Sequence, residues 1–315
     1  LYAERDYAVS NEKTAVKSLW SSRLFFIIKI LKMNNLKQMF CGLHDILDSN
    51  IILNNVNTSV MDSKSTTRFS NRVEDYVKYR PGYPKEIVKY LETGFGLKQG
   101  STIADIGSGT GISSELFLNH GYKVIGVEPN KEMRDKSEEL LGKNPAFSAV
   151  NGNSDDTNLD AQSVDAIIAG QAFHWFDRKK ASVEFRRILK PKGFIALIWN
   201  ERLTTSDFEK EYDVLIVKHS TDYVQVDHRN IDIDKISEFF NGASIEQEIF
   251  GNRQIFDFNG LEGRLLSSSY VPSKGDAGYQ AMSDDLKVLF DQYQENGVIR
   301  INYATKVFVG RVSEF

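Results

Sequence analysis

The strongest constraint on this chain is a rhythm between Thr102 and Trp199. Short apolar runs alternate there with segments that read as helices. The runs are 102–106, 123–128, 147–150, 164–169 and 194–199. They are mostly apolar, as expected for strands buried on both faces. Strands alternating with helices at this spacing predict an α/β fold with a mostly parallel, doubly wound sheet. Helices are expected over 111–120 and 130–141, the second capped by Asn130. A third carries Phe185, Ile188 and Leu189 at i, i+3, i+4 and stops at Pro191 and Gly193.

The flanks are read the same way. A helix over 73–91 is expected to break at Pro81-Gly82-Tyr83-Pro84, because proline disfavours helix in the residue before it. Beyond Trp199, helices are expected over 207–219, 232–240, 261–267 and 277–293. Strands are expected near 245–250 and 254–258, with a last one at 305–311.

The sharpest motif lies between the first strand and the first helix: Asp105-Ile106-Gly107-Ser108-Gly109-Thr110-Gly111. In an open α/β sheet, ligands sit at the carboxyl ends of strands, near the point where strand order reverses. Glycines there admit positive φ and close approach of the backbone. A dinucleotide fingerprint would need glycine where Ile112 stands, and a P-loop would need a lysine that is missing. The carboxylate of Asp105 suits a ligand with an ammonium group rather than one rich in phosphate. Glu128 ends the second strand, 23 residues beyond Asp105. An acid in that place accepts hydrogen bonds from a ribose hydroxyl pair. A nucleoside with a cationic amino-acid tail fits both, and S-adenosylmethionine is the natural candidate.

These residues carry a resemblance. The stretch from Arg68 to Arg311 is similar to class I S-adenosylmethionine-dependent methyltransferases of the type 11 domain family, near the trans-aconitate methyltransferase-like members. The motifs are Tyr79-Arg80-Pro81-Gly82-Tyr83-Pro84, the Asp105 loop, Gly126-Val127-Glu128-Pro129-Asn130, Gly170-Gln171-Ala172-Phe173-His174-Trp175-Phe176-Asp177, Leu189-Lys190-Pro191-Lys192-Gly193, and Leu265 to Pro272. The resemblance implies a Rossmann-like sheet of seven strands with an antiparallel last strand and a helical insertion on the acceptor side. It implies that Asp105, Gly107, Gly109 and Gly111 surround the methionine moiety. Glu128 would hold the ribose, and Pro129 and Met133 would lie near the adenine. Asn153, Ser154 and Asp155 fall at the adenine contacts, where family members often carry an acidic-alanine-acidic pattern. Gln171 would sit beside the methionine, and Tyr76, Tyr79, Arg80 and Tyr83 would cover the cofactor.

On the acceptor side, His174 is a candidate general base, with a pKa suited to neutral pH. Its alternative, shared with Phe173 and Trp175, is to shape the pocket wall. An acceptor carboxylate would need no base. Arg202 and Arg264 are candidates for binding an acidic acceptor, since guanidinium pairs bidentately with carboxylate. Tyr83, Tyr270 and Asn200 complete the expected acceptor pocket. The expected activity is methyl transfer to a small molecule, with an acidic metabolite as the finer expectation. The alternative is a cofactor-binding but catalytically idle regulatory protein.

Composition narrows the partners. The chain has 39 basic and 43 acidic residues, a net charge of −4. This disfavours nucleic acid. The lone Cys41 excludes a disulfide framework and a cysteine-built zinc site. His44, His120, His219 and His228 show no metal-ligand spacing, so no metal is expected. No apolar run reaches the roughly 18 residues needed to span a bilayer, so no stable membrane insertion and a cytoplasmic location are expected. Residues 1–60 differ in texture. They hold seven basic and five acidic residues, and the stretch at Met61 looks like a normal start. The expected division is an extension over 1–60 and one methyltransferase domain over 61–315. Its cofactor-binding core is about 100–200, and the acceptor-side part about 201–315. Oligomeric state is not legible in the sequence.

Overall fold

A computed structural model describes residues 73–220 and 233–311. The expected extension over 1–60, the start at Met61, Cys41, His44 and His228 lie outside the described residues.

The described chain opens with helices α1 (Val73–Tyr79) and α2 (Glu86–Phe95). Strand and helix then alternate: β1 (Thr102–Ile106), α3 (Ile112–Leu118), β2 (Lys123–Val127), α4 (Lys131–Leu141) and β3 (Phe147–Val150). They continue as β4 (Val164–Gly170), a short 3-10 turn at Phe173–Trp175, α5 (Arg178–Ile188) and β5 (Leu189–Arg202). The last part runs α6 (Asp207–His219), α7 (Ile233–Phe239), β6 (Ile245–Phe256), α8 (Phe258–Leu266), α9 (Tyr279–Tyr293) and β7 (Ile299–Gly310). The seven strands form one sheet in the order β3-β2-β1-β4-β5-β7-β6. Pairs among β1 to β5 are parallel, and β7 runs antiparallel to both neighbours. The expected α/β, doubly wound, seven-stranded architecture is therefore present.

Successive strand residues face opposite sides, and the core follows that alternation. Ile103, Ala166, Ile168, Ala196 and Ile198 face α2 and α3, packing on Ile87, Leu91, Phe95 and Phe117. Ala104, Ile106, Ile167, Ala169 and Leu197 face the other way, onto Phe185 and Ile188 of α5 and Ile236 and Phe239 of α7. A third cluster joins α6, α8 and α9 to Ile299, Ile301 and Tyr303 of β7. Burying a large aliphatic side chain stabilises by roughly 1.5–3 kcal/mol, so these layers dominate the fold. The caps are local: Asn130 accepts the Met133 N–H at 2.9 Å, and Ser206 with Glu209 forms a capping box on α6.

Two expectations are corrected. The runs near 245–250 and 254–258 are one strand, because Gly251↔Ala304 and Asn252↔Tyr303 continue the ladder between them. The glycine and asparagine resemble a turn, yet a long partner strand satisfies their backbone. The last strand also begins earlier, at Ile299 rather than Thr305. Its buried residues Ile299, Ile301 and Tyr303 alternate with Arg300 and Asn302.

Candidate functional site

The strand order reverses between β1 and β4, so a crevice opens at their carboxyl ends. The glycine loop enters it from β1. Gly109 has φ +57, and a Cβ there would meet nothing within 4 Å. Gly111 is required for a different reason: a Cβ would lie 2.5 Å from Leu141 Cδ1 of α4. Gly107 closes against the far side of the crevice, where a Cβ would lie 2.7 Å from Ala172 Cβ. The loop therefore packs at both ends and leaves open space at Gly109.

Asp105 ends up beneath the loop, 1% exposed. Its Oδ2 accepts the hydroxyls of Ser113 and Ser114, each at 2.6 Å. Its Oδ1 is buried and has no hydrogen-bond partner. Burial pushes the carboxyl pKa up, and the serine bonds only partly counter this. Glu128 is also buried and also raised by burial. Its Oε2 accepts the Gly109 N–H and its Oε1 the Asn130 N–H, both at 2.9 Å. Glu128 thus sets the shape of the glycine loop as well as facing it. A carboxylate has about four acceptor positions, so two remain.

Beyond β3, Asn153 forms a turn in which its Oδ1 accepts the N–H groups of Asp155 and Asp156 at 2.7 and 2.9 Å. Ser154 is buried and bonds Asp155 Oδ1 at 2.9 Å. Met133 is buried at the start of α4, and the Pro129 carbonyl accepts Arg134. None of these five residues borders the main cavity, which lies at the other end of the loop.

That cavity has a volume of about 770 Å3, counting the space at its mouth. Its floor includes Gly107, Ser108, Ser113, Gly170 and Gln171. Gln171 sits at φ +57, a left-handed conformation rare for its type and common at functional sites. Its Nε2 donates to the Asn200 carbonyl at 3.0 Å, and its buried Oε1 has no partner.

The remaining walls hold Tyr76, Arg80, Tyr83, Asn200, Arg202, Arg264, Tyr270 and Tyr303. Burial raises the Tyr83 hydroxyl well above the usual phenol range, so it stays protonated. Arg264 is 7% exposed. Its Nε donates to Tyr303 Oη at 3.2 Å, and Nη1 to the hydroxyls of Ser267 and Ser268 at 3.3 Å each. Burial works against its charge, but the hydroxyls of Tyr303, Tyr212 and Tyr270 more than offset it, and its pKa is raised. Arg80 donates to the Ser267 carbonyl at 2.9 Å and lies over the Tyr76 ring at 4.9 Å. Burial, and then the charge of Arg264, lower its pKa. Both guanidiniums remain cationic at neutral pH. Among the described residues neither has a carboxylate within 4.0 Å.

Several expected positions fall elsewhere. Tyr79 does not line the cavity: its ring packs on Gly263 of α8, where a Cβ would lie 2.1 Å away. Phe173 is core, in edge contact with Trp199 and Phe239. His174 and Trp175 face outward on the 3-10 turn, their rings tilted at 46° with centroids 4.8 Å apart, and neither borders the cavity. Arg202 does border it, but pairs with Asp213 and lies over Tyr212 at 5.1 Å, so its charge is already compensated. Sequence reasoning missed Tyr303, which no local pattern marks. It also missed Ser113 and Ser114, although two serines directly after a glycine loop are a readable sign of hydroxyls near the preceding acid.

The arrangement fits an adenosyl amino acid. The unpartnered Asp105 and Gln171 oxygens suit an ammonium group, Glu128 retains acceptor capacity, and Gly109 leaves room. Residues 104–197 match a family model described as a methyltransferase domain. The chain is 29% identical over 204 residues to an uncharacterised methyltransferase of Schizosaccharomyces pombe, covering 64% of this chain and 77% of that protein. It is 34% identical over 134 residues to an uncharacterised methyltransferase of Mycobacterium bovis, covering 42% and 52%. The chain thus spans about half the length of the mycobacterial relative. Among solved structures it resembles a proposed type II methyltransferase from Anaeromyxobacter dehalogenans. There the TM-score is 0.58 at 19% identity, over 75% of this chain and 100% of that one. Residues 104–197 thus carry a methyltransferase domain, the sheet shares its fold with a solved methyltransferase structure, and the cofactor of such an enzyme is S-adenosylmethionine.

Proposed function

We propose that this class I methyltransferase domain methylates a small anionic acceptor, with a carboxylate oxygen as the nucleophile. One observation carries the reading. Arg264 is buried and Arg80 half-buried, both are charged and without a carboxylate partner among the described residues, and they line one cavity with Gly107 and Ser108 of the glycine loop. Burying an uncompensated cation is costly, so two such groups around one cavity point to bound anions. The cofactor carries one carboxylate of its own, which Arg80 is placed to receive. Arg264 is left for the acceptor. The resemblance of the motifs to trans-aconitate methyltransferase-like members supports the same chemical class.

When bound, the cofactor supplies an activated methyl group on a sulfonium. The chain's own residues bind and orient. Arg264, held by Tyr303, Ser267 and Ser268, fixes the acceptor through charge-assisted hydrogen bonds. Tyr83 and Tyr270 wall the reaction space, so the acceptor approaches along a set direction. No proton has to be removed from a carboxylate at neutral pH, which agrees with the outward placement of His174.

The test is transfer from methyl-labelled donor to a panel of matched acids, alcohols and amines. Transfer to acids, releasing the label on mild base as expected of an ester, is the predicted result. The Arg264→Lys variant should raise the acceptor KM about tenfold, the scale of a lost charge-assisted hydrogen bond, with donor binding retained. Transfer only to amines or neutral hydroxyls would refute the proposal.

A further inference from the structure

The segment joining α1 to α2, Arg80-Pro81-Gly82-Tyr83-Pro84-Lys85, forms part of the cavity wall through Arg80, Pro81 and Tyr83. It belongs to no sheet. Its backbone-to-backbone bonds are local ones, from Arg80 N–H to Tyr76 and from the first turn of α2 back to Pro84 and Lys85. Two prolines remove two donors. Side-chain amides from distant strands hold it instead. Asn252 Nδ2 of β6 donates to the Gly82 carbonyl at 2.8 Å, and Asn200 Nδ2 of β5 to the same oxygen at 3.1 Å. Gln254 Nε2 of β6 donates to the Tyr79 carbonyl at 3.0 Å.

The amides cannot flip without loss. Asn200 Oδ1 accepts Thr305 Oγ1 at 2.6 Å and Asn252 Nδ2 at 3.1 Å. Gln254 Oε1 accepts Tyr303 Oη at 2.8 Å. Their NH2 groups are therefore aimed at the strap by a second set of bonds. The Asn200 carbonyl also receives Gln171, so one residue touches both the strap and the methionine end of the crevice. The strap in turn lays the Tyr83 hydroxyl against Gly170, where a Cβ would meet it at 2.7 Å.

We propose that Asn200, Asn252 and Gln254 are positioning residues that clamp the 80–83 strap over the methyl-donor site and so set Arg80 and Tyr83 for binding. Asn252 and Gln254 lie on β6 at the antiparallel edge of the sheet, and Asn200 lies on β5 beside the parallel strands where the donor would sit. The proposal rests on the reading of Arg80 and Tyr83 as donor-side residues.

Two near-isosteric variants separate positioning from scaffold. Asn252→Asp keeps the oxygen that accepts the Arg253 N–H at 2.8 Å, but turns a carboxylate oxygen toward the Gly82 carbonyl. Gln254→Glu keeps the acceptor for Tyr303 and loses the donor to Tyr79. The readouts are calorimetric binding of S-adenosylhomocysteine and hydrogen exchange of residues 80–83. Each variant should weaken binding about five- to tenfold, the scale of one or two lost hydrogen bonds, and speed exchange in the strap, with little change in the urea midpoint. Wild-type affinity in both variants would overturn the clamp, whatever happens to stability. An Arg80→Ala arm tests the underlying reading. If it binds normally while the clamp variants bind weakly, Arg80 leaves the site and the clamp acts through Tyr83. If Arg80→Ala binds weakly and the clamp variants normally, only the clamp fails.

Discussion

Replacing Asp105 by asparagine should move folding stability and ligand affinity in different directions. The carboxylate is 1% exposed, and one oxygen takes both serine hydroxyls while the other has no partner. Burial raises its folded pKa above the unfolded value of 3.8. For an acid, a raised folded pKa means that the ionised form is disfavoured by folding. The ligand-free protein is therefore less stable above that folded pKa than below the unfolded one, losing stability as pH rises between them. Asparagine removes the buried charge, keeps an oxygen for Ser113 and Ser114, and has nearly the same volume. At pH 7 the ligand-free variant should melt at or above the wild type. Its NH2 would replace the acceptor intended for an ammonium group, with a loss of about 1–3 kcal/mol, the scale of a hydrogen bond to a charged group. That is roughly a 5- to 150-fold weaker Kd. Calorimetry with S-adenosylhomocysteine at pH 7 measures it, alongside thermal melts without ligand. Affinity within twofold of wild type would remove Asp105 from donor recognition. A fall in both melting temperature and affinity would make it a scaffold residue instead.

Two further outcomes are expected. Gly109→Ala should fold, because its Cβ meets no protein atom within 4 Å, at a cost of about 1–2 kcal/mol for the left-handed backbone. It should still weaken S-adenosylhomocysteine about tenfold by intruding on ligand space, and a normal Kd would show that the ligand does not lie there. Glu184 is held down to about 2 by Arg187, against burial and with help from Thr157. A depressed acid stabilises the fold above its unfolded pKa of 4.5 and loses that contribution as pH falls toward 2. Glu184→Gln should thus lower the melting temperature at pH 7, and the gap to wild type should close in acid; a gap constant with pH would refute the linkage.

What could be read in advance follows chain locality. The Asp105 loop, the acid ending β2 and the Asn130 cap are short contiguous patterns, and each stands where expected. The five parallel strands were legible because double-sided burial writes a mostly apolar run, weakest in β3, where Ser148 is exposed. β6 was split in two because Gly251 and Asn252 look like a turn, and only the facing strand supplies the missing bonds. The outward turn of His174 and Trp175 was hidden as well, since topology places the end of β4 but not the rotation of the residues after it. Arg202 and Arg264 looked equivalent by type. Only the fold shows that one meets Asp213 and the other meets hydroxyls.

The reversed direction of β7 has a consequence for how such chains diversify. Because β7 runs against β5, the connection between them need not cross the sheet as a single helix. It instead carries α6 to α9, and β6 beyond. Arg264, Tyr270 and Tyr303 come from this stretch or its closing strand and Arg202 from the end of β5, all beyond residues 104–197, which match the methyltransferase-domain model. On the acceptor reading proposed above, the residues that meet the acceptor can change while β1 to β5 stay fixed. On that reading, two relatives alike across β1 to β5 can differ in what they methylate, and an exchange that takes α8, α9 and β7 together should carry acceptor preference with it.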